Sequence, residues 1–343
     1  MSVFEVSAAK PLVSIVIVNF NGAQVLRDCL TSVYAQSYRP IEVIVVDNAS
    51  VDGSVEIVRS EFPDARLVIN SKNEGFAGGS NRGVSVATGE YIALLNNDAV
   101  VDKSWLATLF GTLQGSTACI LASKVITDGV PYAFYEMNGT LNYLGYNIPR
   151  KFSDLSKIFY ASGASLLYRR LGNEYPFLDE FFLYHEDVFF CWRHRLRGGS
   201  VSMLQESVVH HRGSVSTKRQ STSFITFYQE RNRLLNCLLL YERTTLVALL
   251  PYIVLDMLGK ILLSVLGRRK SLKGIMRGYV WIAAHIAWLR EERGKIQAER
   301  TVPDKEIMRL MTADVVGSNS SLAGFVNQLS RTYARIAGLS YHV

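Results

Sequence analysis

Leu12-Val13-Ser14-Ile15-Val16-Ile17-Val18-Asn19-Phe20-Asn21-Gly22 is an apolar, β-branched run that stops in a polar turn. A short run of this kind closed by Asn and Gly reads as a buried strand and turn. Ala23, Leu26, Leu30, Val33 and Tyr34 then recur at helical spacing over residues 23–37. Ile41 to Val46 repeats the strand pattern and ends at Asp47-Asn48-Ala49-Ser50, with a second helix from Asp52 to Ser60. The strand Leu67-Val68-Ile69 precedes a glycine-rich stretch, a short helix near 80–87 and the strand Tyr91 to Leu95. Such alternation predicts an α/β domain whose mostly parallel sheet is covered by helices on both faces, with ligands bound at the strands' carboxyl ends. Asn19, Asp47 and Asn73 follow three strands and Asn96-Asn97-Asp98 a fourth, so residues distant in sequence converge on one crevice.

After residue 100 the rhythm changes. A helix is expected from Lys103 to Leu113, a strand near 118–126, and an irregular or hairpin-like stretch from Asp128 to Arg150. Residues 162–170 lead to Phe181-Phe182-Leu183-Tyr184-His185-Glu186-Asp187-Val188-Phe189-Phe190-Cys191-Trp192-Arg193, an acidic pair set between aromatic runs. Apolar neighbours raise a carboxyl's pKa and make it a proton acceptor. Capping of the following helix, which runs to Leu196, is the competing reading. A last strand near 200–209 ends in His210-His211.

Bulk properties narrow the classes. The 343 residues suffice for one large domain and an appendage, and 48% hydrophobic with 20% charged residues excludes a mostly disordered chain. Cys29, Cys119, Cys191 and Cys237 lie far apart, which speaks against a zinc ribbon or dithiol site and for free thiols in a reducing compartment. Met1 to Lys10 lacks a basic start followed by an apolar run, so no cleaved secretory signal is expected and the active region should face the cytoplasm. The net charge is +7, and residues 237–300, with 11 Lys and Arg against 5 Asp and Glu, carry +6 of it.

Residues 244–266 are very apolar, but Asp256 and Lys260 interrupt them and Pro251 bends the axis. This predicts a shallow, in-plane membrane helix in preference to a span. Arg268, Arg269, Lys270, Lys273 and Arg277, followed by Tyr279, Trp281 and Trp288, suit an anionic lipid surface. A helical hairpin buried on the main domain or on a second subunit is the alternative. Nucleic acid is not expected, because no recognised motif accompanies the basic cluster.

Two constellations bear on chemistry. In Asn73-Glu74-Gly75-Phe76-Ala77-Gly78-Gly79-Ser80-Asn81-Arg82-Gly83 the glycines let backbone N–H groups approach a phosphate, or else serve a tight turn and close helix packing. Neither a dinucleotide fingerprint nor a phosphate-loop motif is present. Asp98 sits where Mg2+ or Mn2+ could bridge it to a diphosphate, with His210 or His211 from another strand end as second ligand. Helix capping by Asp98 and a satisfied core histidine are the competing readings.

VSIVIVNFNG at 13–22, VIVVDNASVDGS at 43–54, NEGFAGGSNRG at 73–83, LLNNDAV at 94–100 and FFLYHEDVFFCWRHRLRGG at 181–199 together resemble family 2 inverting glycosyltransferases. Order and spacing match over residues 12–235, closest to the rhamnosyltransferase-like branch. The resemblance implies a GT-A fold, Rossmann-like and flanked by helices, a dTDP- or UDP-linked sugar donor, and a divalent metal. It implies that Asn19, Asp47 and Asn48 contact the nucleoside. It also implies that Asn73, Gly78, Gly79 and Arg82 hold base or diphosphate, and that Asn96, Asn97 and Asp98 form the acidic signature with Asn96 in place of its first acid. Asp98 and His210 would hold the metal. Asp187 would be the general base, Glu186 would orient it or bind acceptor, Trp192 would floor the sugar site, and Arg231, beside Asn232, would bind phosphate.

The expected organisation is a tail (1–11), a catalytic domain (12–235), a membrane-associating helical region (236–300) and a helical tail (301–343) that packs on the core, mediates homo-oligomers or lies free. The function expected is transfer of a sugar, rhamnose among the candidates, to a saccharide or polyprenyl-diphosphate-linked acceptor. It would act in cell-surface polysaccharide synthesis at the cytoplasmic face of the membrane. A catalytically inert nucleotide-sugar-binding scaffold is the alternative from another class, and a nucleotidyltransferase a third.

Overall fold

The computed structural model describes residues 10–113, 119–127, 139–148, 158–170, 172, 174–212, 220–267, 271–315 and 321–339. Most of the expected N-terminal tail, much of the 128–150 stretch and the basic run Arg268-Arg269-Lys270 lie outside the described residues.

Strand β1 (Val13–Asn19) is buried almost throughout, because helices cover both faces of the sheet around it. It pairs in parallel with β2 (Ile41–Asp47) and β4 (Tyr91–Asn96), and β2 pairs in parallel with β3 (Arg66–Ile69). The helices α1 (Ala23–Tyr34), α2 (Ser54–Glu61) and α3 (Gly75–Val86) connect these strands. The register sets Asn19 beside Asp47 and Val18 beside Asn96, so the polar strand ends meet along one edge.

The remaining strands are β5 (Ala99–Val101), β6 (Cys119–Thr127), the small pair β7 (Thr140–Leu141) and β8 (Asn147–Ile148), β9 (Ser165–Arg169) and β10 (Ser200–His211), with α4 (Trp105–Leu113) between β5 and β6. The main sheet has the order β3-β2-β1-β4-β9-β6-β10-β5. Here the expectation of a mostly parallel sheet needs correction. β9 runs antiparallel to both β4 and β6, and β10 antiparallel to β5, so the sheet is mixed. An antiparallel strand needs no crossover helix, and its insertion leaves no mark on the strand–helix rhythm.

Helices α5 (Glu186–Leu196), α6 (Thr222–Leu240), α7 (Arg243–Val265), α8 (Leu272–Ala284), α9 (Ile286–Ala298), α10 (Asp304–Ile307) and α11 (Ser321–Ile336) complete the chain. One apolar layer packs α1 and α4 on the sheet through Leu26, Leu30, Trp105 and Leu109. The other brings α3, α5 and α6 onto the sheet through Val84, Phe189, Trp192 and Leu235. The last segment returns to the core: Thr301 and Val302 donate their N–H groups to Leu196 O (2.7 and 3.0 Å), and Thr312 N–H to Leu141 O (2.9 Å).

Helix α7 is amphipathic in an inverted sense. Val247 is 72% exposed and Leu255 68%, with Leu258 and Leu262 exposed beside them. Asp256 and Lys260 turn inward instead. Asp256 accepts from Arg233 of α6 (2.9 Å) and from the Tyr146 hydroxyl (2.9 Å), and Lys260 pairs with Asp256 (2.7 Å) and with Glu230. Two carboxylates and two cations thus neutralise one another in a site where an unpaired charge would be costly.

Candidate active site

The carboxyl ends of β1, β2 and β4 open into a cleft of about 720 Å3 whose walls include Asn48, Asn73, Asn96, Asn97, Asp98 and His211 together with Glu186 and Asp187. The two acidic stations, 89 positions apart in sequence, share this space. The Ser162-Gly163-Ala164 turn connects them: Ala164 O accepts Asn96 N–H (3.1 Å), and Gly163 N–H donates to Asp187 Oδ2 (3.1 Å).

The end of the cleft beside β1 and β2 is built from buried polar side chains. Asp47 accepts from the Asn19 amide at Oδ1 (3.0 Å) and from the Ser50 backbone at Oδ2 (2.8 Å), while Asn97 donates to Asn19 Oδ1 (2.8 Å). Asn48 donates to Gly75 O (2.8 Å) and accepts from Asn70 (2.8 Å). Asn73 Oδ1 accepts Gly75 N–H (2.9 Å) and so starts α3. Asn19 and Asp47 stand one layer behind Asn48 and Asn97, which face the cleft.

The glycine-rich stretch is part of α3, and its helix begins at Gly75, five residues before the expected start. A Cβ on Gly79 would lie 2.6 Å from Val18 Cγ1, and one on Gly83 2.3 Å from Val16 Cγ1. These glycines therefore let the helix lie against the sheet. Gly78 is likewise buried, its Cβ direction closed by Glu74, and neither Gly78 nor Gly79 lines the cleft. Arg82 is exposed on the same helix and does not line it either. The phosphate-holding role expected of these three is not where the structure puts them.

At the other end of the sheet β5 pairs with β10 so that Ala99 stands opposite His211, and Arg212 N–H donates to Asp98 O (3.0 Å). This pairing sets His211 Nε2 3.0 Å from Asp98 Oδ1 and 3.2 Å from Asn96 Nδ2. The ligand expectation for His210 needs correction to His211. Successive strand residues point to opposite faces, and His210 lies half exposed near Asp102 at 3.7 Å, away from Asp98. With its proton on Nδ1, His211 presents the Nε2 lone pair beside Asp98 Oδ1, two electron-pair donors 3.0 Å apart of the kind a divalent cation draws on. The Asp98 and His211 donors fit a divalent ion. Among the described residues no cluster of three or more His, Cys, Asp or Glu side chains is placed to hold one, so ligand phosphates would complete the shell.

Asp187 and Glu186 open α5 behind an unusual approach. Phe182, Tyr184 and His185 all have positive φ, at 59°, 68° and 64°. Side chains disfavour this region by roughly 1–2 kcal/mol each, so other contacts must hold the segment. Buried Asn232 of α6 donates to Phe181 O, Leu183 O and Tyr184 O (2.8, 2.8 and 2.7 Å), and Asn236 to His185 O (3.0 Å). Arg231 donates to Glu180 O and Phe181 O, and its guanidinium lies over Phe227, Tyr228 and Trp281. Arg231 is thus committed to protein carbonyls and not to the cleft, against the phosphate-binding expectation.

Burial pushes the Asp187 carboxyl up to about 6, partly opposed by the N–H groups of Gly163 and Val188. Burial, with the Asp187 charge beside it, raises Glu186 well above the usual carboxylate range, and Glu186 Oε2 is buried with no hydrogen-bond partner. Trp192, expected to floor the sugar site, is instead fully buried against Phe159 and Tyr241. It follows Val188 by four residues on α5, which turns it to the core. Phe182, Tyr184 and Phe224 supply the aromatic lining instead.

Sequence reading missed His211's priority, Gly163, and the amides of Asn232 and Asn236. The last two had a signal: a pair of amides four residues apart, and so on one face, of a single helix.

Residues 14–174 match Glycosyl transferase family 2. Over 113 residues, 32% of this chain, the sequence is 34% identical to the glycosyltransferase GlyG of Streptococcus pneumoniae serotype 4, and the match spans only 38% of GlyG. It is 26% identical over 255 residues to the putative glycosyltransferase EpsH of Bacillus subtilis, covering 65% of this chain and 71% of that one. The structure of the mannosyltransferase PcManGT from Pyrobaculum calidifontis, in complex with GDP-Man and Mn2+, superposes with a TM-score of 0.51 at 16% identity, covering 96% of this chain and 87% of PcManGT. At that identity the likeness shows the fold, which is GT-A-like. The family match over residues 14–174 and the relatives support a glycosyltransferase, and the fold is GT-A-like.

Proposed function

We propose that the protein transfers a sugar, with inversion, from a nucleoside diphosphate donor to a saccharide or polyprenyl-diphosphate-linked hydroxyl acceptor, Asp187 acting as the base. The observation that carries this reading is the placement of Asp98 and Asp187 in one cleft. An inverting displacement needs a proton acceptor at the incoming hydroxyl and positive charge at the departing diphosphate. Asp187, pushed up to about 6, is ionised at neutral pH yet basic enough to take the proton. As the proton moves to its carboxylate, the acceptor oxygen bonds to the anomeric carbon and the carbon–oxygen bond to the diphosphate breaks. Asp98 and His211 would hold Mg2+ or Mn2+, which when bound neutralises charge on the leaving diphosphate. Glu186, its pKa raised well above the usual carboxylate range by burial and by the Asp187 charge, lines the cleft with Oε2 unpartnered and is placed to contact the acceptor.

The motif resemblance supports a dTDP- or UDP-linked donor, rhamnose among the sugars, and a place in cell-surface polysaccharide synthesis. The exposed apolar face of α7, with Asp256 and Lys260 turned inward, supports peripheral attachment to the cytoplasmic face of a membrane through that helix and its basic neighbours. The 23-residue helix is also long and apolar enough to cross a bilayer. Its inward ion pairs to α6 favour lying along the surface.

Asn96 in place of the first acid favours one rival, an inert donor-binding scaffold. Release of nucleoside diphosphate from a panel of UDP-, dTDP- and GDP-sugars with Mn2+ separates the two. Turnover of any of them supports the enzyme, whereas binding of every donor without turnover would leave the scaffold.

A further inference from the structure

The approach to the acidic pair is a strap, residues 181–185, pinched between two elements. On one side Asn232 and Asn236, one turn apart on α6, carry the carbonyls of Phe181, Leu183, Tyr184 and His185. On the other, Ala77 N–H donates to Phe182 O (3.2 Å), and Gly75 approaches so closely that a Cβ would stand 2.2 Å from that oxygen. Phe182 also stacks on Tyr228, with ring centroids 5.0 Å apart. The strap ends in His185, whose carbonyl accepts Phe189 N–H (3.0 Å) and so begins the helix that carries Asp187.

A backbone with positive φ at three non-glycine positions does not hold itself in that shape. Asn232 supplies what the strap lacks. Its amide is the donor for three carbonyls, and its own Oδ1 accepts Arg231 Nε–H (2.9 Å), which fixes the amide's orientation. No apolar or acidic side chain of that size could substitute, since carbonyls require a donor.

We propose that Asn232, assisted by Asn236, is a positioning residue: by clamping the 181–185 strap it sets where the Asp187 carboxylate meets the acceptor hydroxyl. This rests on Asp187 being the base. The hydrogen bonds of Asn232 go to the strap and to Arg231 and not to Asn48, Asn73 or Asn97, so its loss should change turnover more than donor binding.

Asn232→Ala, Asn236→Ala and Asp187→Asn are compared in the full-length protein. Titration with UDP and Mn2+ counts competent donor sites, and nucleoside diphosphate release from the panel donor that wild type turns over gives the rate per site. For Asn232→Ala the rate per site should fall about 100-fold with UDP affinity within about twofold of wild type, the size expected when a reacting group is displaced by about 1 Å. Hydrogen exchange of the 182–188 amides should accelerate while that of β1 and β4 does not. Asn236→Ala, which loses one bond, should move the same way by about tenfold, and it decides alone should Asn232→Ala not fold. A folded, UDP-binding variant of either kind with wild-type rate per site overturns the proposal. Wild-type rate in Asp187→Asn would instead remove the base assignment itself, and this clamp's function with it.

Discussion

As the proposed base, Asp187 is held by its surroundings between two failures. Full solvation would leave a weak carboxylate, and complete desolvation would leave a neutral acid. The N–H groups of Gly163 and Val188 offset part of the burial and leave the group near 6, facing Glu186, Tyr160 and Cys191. Turnover should therefore rise about tenfold per pH unit below 6 and level off above about 7, measured as initial rates at saturating donor. Glu186 has the opposite consequence for stability. Its pKa is higher folded than unfolded, so the folded form binds the proton more tightly and the stability this brings is present below the unfolded pKa and lost as pH rises. Glu186→Gln should melt above wild type at pH 8, with the difference vanishing by pH 4 in scanning calorimetry.

At this scale the sequence was a partial guide. Asp98, Asn48, Asn96 and Asn97 end apolar strands and reach the cleft as expected. Trp192 and Arg231 look like ligand-binding residues by type, yet helix phase turns one to the core and nearby carbonyls capture the other. Alternation separates His210 from His211 but does not say which face holds Asp98. That depends on the β5–β10 pairing, a long-range contact.

Among the elements, α3 bears out the packing reading of its glycine-rich stretch at two positions. Gly79 and Gly83 are required by contact with the sheet. Gly83→Ala should destabilise by up to roughly 2 kcal/mol, since about 1–3 kcal/mol of overpacking against Val16 is offset by only ~1 kcal/mol of helix propensity gained. Gly111 of α4 has nothing within 4 Å of its Cβ direction, so Gly111→Ala should gain up to about 1 kcal/mol by the same propensity. Urea denaturation of the two variants should shift the midpoint in opposite directions. The parallel strands were legible because each buried run sits between amphipathic helices. β9 was not, since Ser165–Arg169 carries no turn or crossover to announce it and gains its place by pairing with two distant strands.

For the whole molecule, α6 and α7 are joined by the buried charges of Glu230, Arg233, Asp256 and Lys260. If α7 lies on a bilayer, Leu255→Glu with Leu262→Glu should reduce cosedimentation with phosphatidylglycerol vesicles at least about tenfold by removing apolar contact and adding repulsion, leaving UDP binding intact. Unchanged sedimentation would assign that face to a second copy or another protein. The division of labour between Asp98 and Asp187 is tested by a paired experiment on Asp187→Asn: calorimetric titration with UDP and Mn2+, and donor turnover under the same conditions. UDP should bind as it does to wild type while turnover falls at least about 100-fold, the lower range for loss of a general base. Turnover within a few-fold of wild type would contradict a proton acceptor at position 187.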